Sequence, residues 1–176
     1  GPVEHYLPRV GRLLSRLGDP QHGVRSVIVG GTNGKGTVAS LLSALLQAHG
    51  IRCGLYTSPH LHSQRERIRV DGRLLSKDDW AEGLTRLYDA TRRFASEGLG
   101  EFSRFEALTA LAADLFAHCK VDVAIYEVGL GGRYDSTNAW DHDAAVLTTI
   151  SLDHCDILGN TLTQIADEKL PIARQG

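Results

Sequence analysis

The run Gly30-Gly-Thr-Asn-Gly-Lys-Gly-Thr37 lies between a β-branched apolar stretch and a stretch with leucines at helical spacing. A glycine turn between a strand and a helix leaves backbone N–H groups and the positive helix end free to face an anion. Gly31, Thr32, Asn33, Gly34, Lys35, Gly36 and Thr37 therefore read as a loop that holds a nucleotide's phosphates, with Lys35 against the β/γ-phosphates. The run departs from the common pattern G-x-x-x-x-G-K-[ST]. Only three residues separate Gly30 from Gly34-Lys35, and the Thr37 hydroxyl comes one position late because Gly36 intervenes. A glycine-rich turn with a surface lysine is the plainer reading of the same residues. If the phosphates need Mg²⁺, its ligands must come from elsewhere.

Polar groups also follow three other apolar stretches: Thr57-Ser58, Glu127, and Ser151 to His154. Magnesium prefers oxygen ligands and keeps several waters, so one hydroxyl, one carboxylate and phosphate oxygens suffice. Ser58, Glu127 and His154 are the candidates, although imidazole is an unusual ligand for this ion. Each has a plainer reading: a turn hydroxyl, a solvated strand end, and a surface or outer-sphere donor. Gly129-Leu-Gly-Gly132, followed by Arg133, Asp135, Thr137 and Asn138, is a second glycine-rich loop and, beside Glu127, a candidate wall for a substrate. Arg65, Glu66 and Arg67 read as a solvated charge run, or as arginines able to hold a carboxylate. His60 and His62 make no case for a metal pair, and Lys169 taken alone is a solvent-facing lysine.

These residues need a scaffold, and the periodicity supplies one. Val3 to Leu17 is expected to form an amphipathic helix, Arg25–Val29 a buried strand, and Val38 to Gln47 a helix with Val38, Leu41, Leu42, Leu45 and Leu46 inward and Gly50 beyond its end. Arg52–Tyr56 reads as a strand, Thr57–Glu66 as a loop, and 67–75 as a hairpin turning at Asp71-Gly72. Ser76 and Asp79 start a helix to about Ser96, and Gly98 to Gly100 break the chain. A helix over Ser103–Cys119 has Phe105, Leu108, Ala112, Leu115 and Phe116 on one face. Strands at Val121–Glu127 and Ala144–Thr149 flank a long loop, and Thr161 with Gln164 caps a last helix that Pro171 stops near Lys169. Strands alternating with helices imply an α/β fold, a parallel sheet flanked by helices, with ligands beyond the carboxyl ends of the strands.

At 176 residues the chain suits one domain with a real core. A net charge of −2 gives no electrostatic case for nucleic acid or an anionic membrane, and no apolar run approaches a membrane span. Cys53, Cys119 and Cys155 lack metal spacing and read as reduced thiols of a cytoplasmic protein. Cys155 adjoins His154, but adjacency in sequence does not create a catalytic dyad. Gly1-Pro2 is expected to be the scar of a cleaved expression tag, and the chain a fragment of a longer protein.

Seven blocks, in order, carry a resemblance: Gly31 to Thr37, Tyr56-Thr-Ser-Pro-His-Leu61, Glu66-Arg-Ile68, Phe105-Glu106, Glu127-Val-Gly-Leu-Gly-Gly-Arg133, Asp135-Ser-Thr-Asn138 and Leu152-Asp-His154. Together they closely resemble bacterial folylpolyglutamate synthase/dihydrofolate synthase, of the Mur ligase superfamily. The resemblance implies a P-loop NTPase-like fold, the Mur ligase central domain, in which residues 3–176 form the N-terminal part. A C-terminal Rossmann-like domain, with the adenine contacts and much of the glutamate site, would be absent from this chain. It implies an ATP-dependent ligase that adds L-glutamate to dihydropteroate or a folate through an acyl phosphate, and a monomer.

By the same resemblance Ser58 and Glu127 hold one Mg²⁺, and Glu127 with His154 helps to hold a second. Lys169 matches a lysine that is carbamylated near the second ion, and Lys35, Glu127, His154 and Lys169 form the catalytic set. This chain reads Glu168-Lys-Leu-Pro-Ile172 where the family has Glu-Lys-Ala-Gly-Ile, so Pro171 alters the backbone beyond the lysine. His60, Arg65, Phe105, Asp135 and Asn138 are the substrate candidates. Two other readings stay open: a Mur-type amide ligase for a different acid, and a non-catalytic nucleotide-binding fragment.

Overall fold

The computed structural model describes residues 6–92 and 101–174. The strands are β1 Arg25–Gly30, β2 Cys53–Tyr56, β3 Ile68–Val70, β4 Arg73–Leu74, β5 Val123–Glu127 and β6 Ala144–Leu147. They form one sheet in the order β4-β3-β2-β5-β1-β6. β2, β5, β1 and β6 run parallel, while β3 and β4 pair antiparallel at one edge. The sheet is therefore mixed and mostly parallel, because the expected hairpin joins it. Its turn places Asp71 at φ 48° and Gly72 at φ 70°, the primed geometry that suits strand twist.

The helices are α1 Tyr6–Arg16, α2 Lys35–Ala48, α3 Lys77–Arg92, α4 Arg104–His118, α5 Cys155–Leu158 and α6 Leu162–Lys169. Side chains alternate across a strand, so adjacent residues serve opposite layers. Leu55 and Ile125 join Val29, Ala39 and Cys53 under α2. Tyr56 and Tyr126 join Leu111 and Phe116 of α4, with Val10, Leu13 and Leu14 of α1 and Trp80 and Leu87 of α3 in the same cluster. Two covered faces explain why β2 and β5 read as unbroken apolar runs, whereas Ala144 and Ala145 of the edge strand β6 stay exposed. The close fit of α4 depends on Gly54, where an added Cβ would come within 2.6 Å of the Phe116 ring.

Several expectations change in detail. α2 begins at Lys35 rather than Val38, and its Leu41 and Leu45 are 60% exposed, while Ala39 and Ser43 are buried. Val38, Leu42 and Leu46 do pack against the core under α2, as expected, whereas Leu41 and Leu45 face outward. α4 is buried from Leu108 to Phe116 rather than along one face, because α1 and α3 both pack on it. Ser103 caps it, with Glu106 returning the bond; the same buried carboxylate takes Arg9 Nε at 3.0 Å. The loop 57–66 ends in a 3₁₀ turn, Gln64–Arg67, and the short helix α5 was not anticipated. α6 stops at Lys169, where Pro171 enters a 3₁₀ turn over Leu170–Ile172. The expected break at Gly98 to Gly100 and the ends of the helices over Val3–Leu17 and Ser76–Ser96 lie outside the described residues. Among the described residues no helix is long and apolar enough to cross a membrane.

Candidate active site

Register brings the polar strand ends together. Tyr56 pairs with Tyr126 and Val29 with Glu127, so the residues after β2, the end of β5 and the loop after β1 lie side by side. The loop itself turns on Gly31 at φ 134° and Gly34 at φ 81°. A Cβ on Gly31 would lie 2.0 Å from Thr148 Oγ1, so no side chain fits there. The segment after β6 braces the loop: Thr32 N donates to Thr149 O at 2.7 Å, Ser151 N to Thr32 Oγ1 at 3.0 Å, and Thr148 Oγ1 to Asn33 O at 2.7 Å. The sequence pattern ended a strand at Thr149 and placed Ser151 in a polar cluster near the loop, but it did not point to this bracing.

Lys35, the first residue of α2, donates to the Gly31 and Thr32 carbonyls at 3.1 Å each. Glu127 is buried and accepts from Ser58 N at 2.9 Å. Burial pushes its carboxyl above the usual range; the N–H groups of Ser58 and Gly36 and the charge of Lys35 partly offset this. A Cβ on Gly36 would lie 3.2 Å from Glu127 Oε1. The carboxylate thus occupies the space beside the position where the common loop carries its hydroxyl, which accounts for the intervening glycine.

Lys169 is not the solvent-facing lysine that composition favours. It is 3% exposed, and its Nζ donates to Gly31 O at 3.1 Å, the same carbonyl that Lys35 contacts. Burial, reinforced by the nearby positive Lys35, holds its pKa below the ordinary lysine value, against a smaller opposite pull from Asp153. His154, at φ 48° before α5, has a half-exposed side chain whose Nε2 lies 3.6 Å from an Asp153 carboxylate oxygen. Among the described residues, no three His, Cys, Asp or Glu side chains gather into a metal-holding cluster.

Beside Ser58 a cavity of about 620 Å³ opens against the second glycine-rich loop. Phe105, Tyr134, Ile157 and Leu158 give it apolar walls, Gly129 to Gly132 form its floor, and Arg67 and Glu168 bring charge. The other substrate candidates have structural partners. Asp135, which also lines the cavity, accepts from Gly129 N and Leu130 N at 3.0 Å each, and from Thr137 N and Oγ1 at 3.0 and 2.6 Å. Asn138 Nδ2 donates to Arg133 O, and its own oxygens accept from Arg174. Arg65 donates to the Leu75 carbonyl, tying the 3₁₀ turn to the hairpin. His60 Nδ1 accepts from Arg67 Nε at 2.9 Å, which sets the arginine at the cavity. The sequence left Arg67 open between a solvated charge run and a carboxylate-holding arginine, and the structure sets it in the cavity lining.

A strand, a glycine turn and a helix led by lysine, at the carboxyl end of a mostly parallel sheet, define a phosphate-loop α/β domain. Within that class the chain is homologous, over nearly all its length, to the N-terminal part of the folylpolyglutamate/dihydrofolate synthases. The Mycobacterium tuberculosis dihydrofolate synthase/folylpolyglutamate synthase is 42% identical over 177 residues, covering 97% of this chain and 36% of the relative. The Bacillus subtilis protein of the same name is 39% identical over 175 residues, covering 99% and 41%. Among solved structures, an FPGS–AMPPCP–folate complex matches with a TM-score of 0.95 at 37% identity, covering 100% of this chain and 43% of that one. No protein-family model matches. The chain spans about two-fifths of the length of these relatives.

Proposed function

We propose that the chain is the phosphate-binding part of an ATP-dependent carboxylate–amine ligase that joins L-glutamate to dihydropteroate, to a folate, or to both. One observation carries this reading. The buried Glu127 carboxylate is held between Ser58 and the start of α2, beside the glycine loop and beside a cavity large enough for a flat, apolar acid. The names of the relatives and the AMPPCP and folate of the matched complex support it.

In such a ligase a carboxylate oxygen of the acid attacks the γ-phosphorus of ATP, ADP leaves, and an acyl phosphate forms. The glutamate amine then attacks the acyl carbon and phosphate departs. Lys35 exchanges its loop carbonyls for phosphate oxygens and offsets their developing charge. The apolar cavity walls keep water from the acyl group, and Arg67 orients an anionic part of the acid.

The donors fit Mg²⁺. Glu127 is a hard oxygen donor whose nearest partners are N–H groups, and burial leaves it short of positive charge. Glu127 and the Ser58 hydroxyl would hold one ion, which supplies charge neutralisation on the phosphates when bound. For a second ion we place Glu127, His154 and a carbamate on Lys169. The neutral amine is the form that adds CO₂, releasing one proton and creating the oxygen donors the ion needs. Burial beside Lys35 favours that neutral form, and Pro171 leaves the lysine in place. We place the protein in the cytoplasm as a monomer, in keeping with its three free thiols.

The test is phosphate release by the full-length protein with Mg-ATP and dihydropteroate or a folate, with and without L-glutamate. Glutamate-dependent release is expected with at least one acid. Its absence with every acid would leave a nucleotide-binding protein and remove the ligase reading.

A further inference from the structure

We propose that Arg133 is a positioning residue that holds Lys169 against the phosphate loop by capping the carboxyl end of α6 from outside the helix. Its kinetic test rests on the ligase reading above; its structural test does not.

α6 has eight residues, too few to be stable alone, and a helix end leaves its last carbonyls without partners. Thr161 caps the other end, accepting from Gln164 N at 3.2 Å. At the Lys169 end the partners come from the second glycine loop. Arg133 N donates to Glu168 O at 2.8 Å, and Arg133 Nη2 donates to Asp167 O at 2.8 Å. A guanidinium at this end also meets the negative pole of the helix. The Arg133–Glu168 ion pair, at 3.5 Å with both side chains well exposed, adds little.

The approach is close because of Gly132. A Cβ there would lie 3.0 Å from both the Glu168 and the Lys169 carbonyl oxygens. Lys169, the last residue of the capped helix, then reaches Gly31 O from a buried position. Gly132 and Glu168 line the cavity, whereas Arg133 does not. One helix end therefore ties the wall of the acid site to the phosphate loop, and Arg133 acts through it rather than on a substrate.

The experiment compares Arg133→Ala and Arg133→Lys with wild type in the full-length protein. In bicarbonate-free buffer at one pH, acetic anhydride labelling of Lys169 is read by peptide mass spectrometry and normalised to exposed Lys120. Loss of a charge-assisted hydrogen bond corresponds to a rise of about tenfold in Lys169 labelling for Arg133→Ala. Arg133→Lys keeps the charge without the fork and should give an intermediate rise; it carries the test if the alanine variant does not fold. Unchanged Lys169 labelling in a folded variant overturns the proposal. Kinetically, Arg133→Ala should lower kcat with KM for ATP and acid held, and should add no loss in a Lys169→Ala background. Additive losses would mean a separate role for Arg133 and also overturn it. A wild type without glutamate-dependent release fails the ligase reading, and the labelling result still decides this one.

Discussion

Gly36 sits where the common phosphate loop has its hydroxyl, and Glu127 fills the neighbouring space from another strand. Moving the oxygen donor from loop to strand end would exchange a neutral hydroxyl for a carboxylate beside the loop. Glu127→Gln preserves shape and the Ser58 contact but removes that charge. In the full-length protein the Mg²⁺ concentration for half-maximal phosphate release should rise about tenfold or more; an unchanged requirement would take Glu127 out of the metal site. Lys35→Ala should abolish release while the melting temperature holds, since Lys35 caps only two carbonyls of a part-exposed loop. Retained turnover would sink the phosphate-loop assignment. Lys35, Ser58 and Glu127 could be picked from the sequence because each follows an apolar strand. Asp135 and Asn138 could not be sorted into binding or support. Their partners are backbone groups of nearby loops together with the Thr137 hydroxyl and the Arg174 guanidinium, and nothing in residue type reveals those.

At the scale of elements, the parallel strands and the long helices follow directly from apolar runs and capping residues. Boundaries and faces follow less well. α4 has apolar or small residues almost all round, so its periodicity marks no single face, and only the arrival of α1 and α3 explains its burial. Leu41 and Leu45 match a helical stripe, yet α2 meets the sheet through Ala39 and Ser43, flanked by Val38, Leu42 and Leu46. α5, at four residues, is too short for any periodic signal. Gly54 of β2 packs closely under Phe116 of α4. Gly54→Ala places a methyl within 2.6–2.8 Å of ring carbons in a filled core and should destabilise the domain by about 1–3 kcal/mol. Urea denaturation measures this loss. Combining it with Phe116→Leu should cost less than the sum of the two single changes, because the ring is what the methyl meets.

Stability against pH belongs to the whole molecule, and here buried groups pull in opposite directions. Burial raises Glu127 and Asp135, so the folded state binds more protons just above their ordinary pKa values, and their terms lose stability as pH rises there. His142 works the other way. Its Nε2 donates to Thr137 O at 2.7 Å, which leaves Nδ1 to accept from the Ser26 hydroxyl at 2.9 Å, so the neutral ring is fully paired. Burial, with Trp140 and Tyr126 against the ring, lowers it to about 4, with Arg174 adding to the effect and the Thr137 carbonyl, Asp143 and Asp141 opposing it. Between that value and the ordinary 6.5 the unfolded chain binds the extra proton, so this term makes stability rise with pH and then level off. The full shift corresponds to about 3–4 kcal/mol at most. The carboxylate terms are common to wild type and His142→Asn, so the difference between their urea midpoints at pH 4.5, 5.5 and 7 isolates the histidine. Wild type should gain more stability across that range than the variant, even though the variant is less stable at pH 7 for want of the paired ring. Equal gains would show that His142 titrates alike in the folded and unfolded chain, and the buried neutral ring would have to be given up.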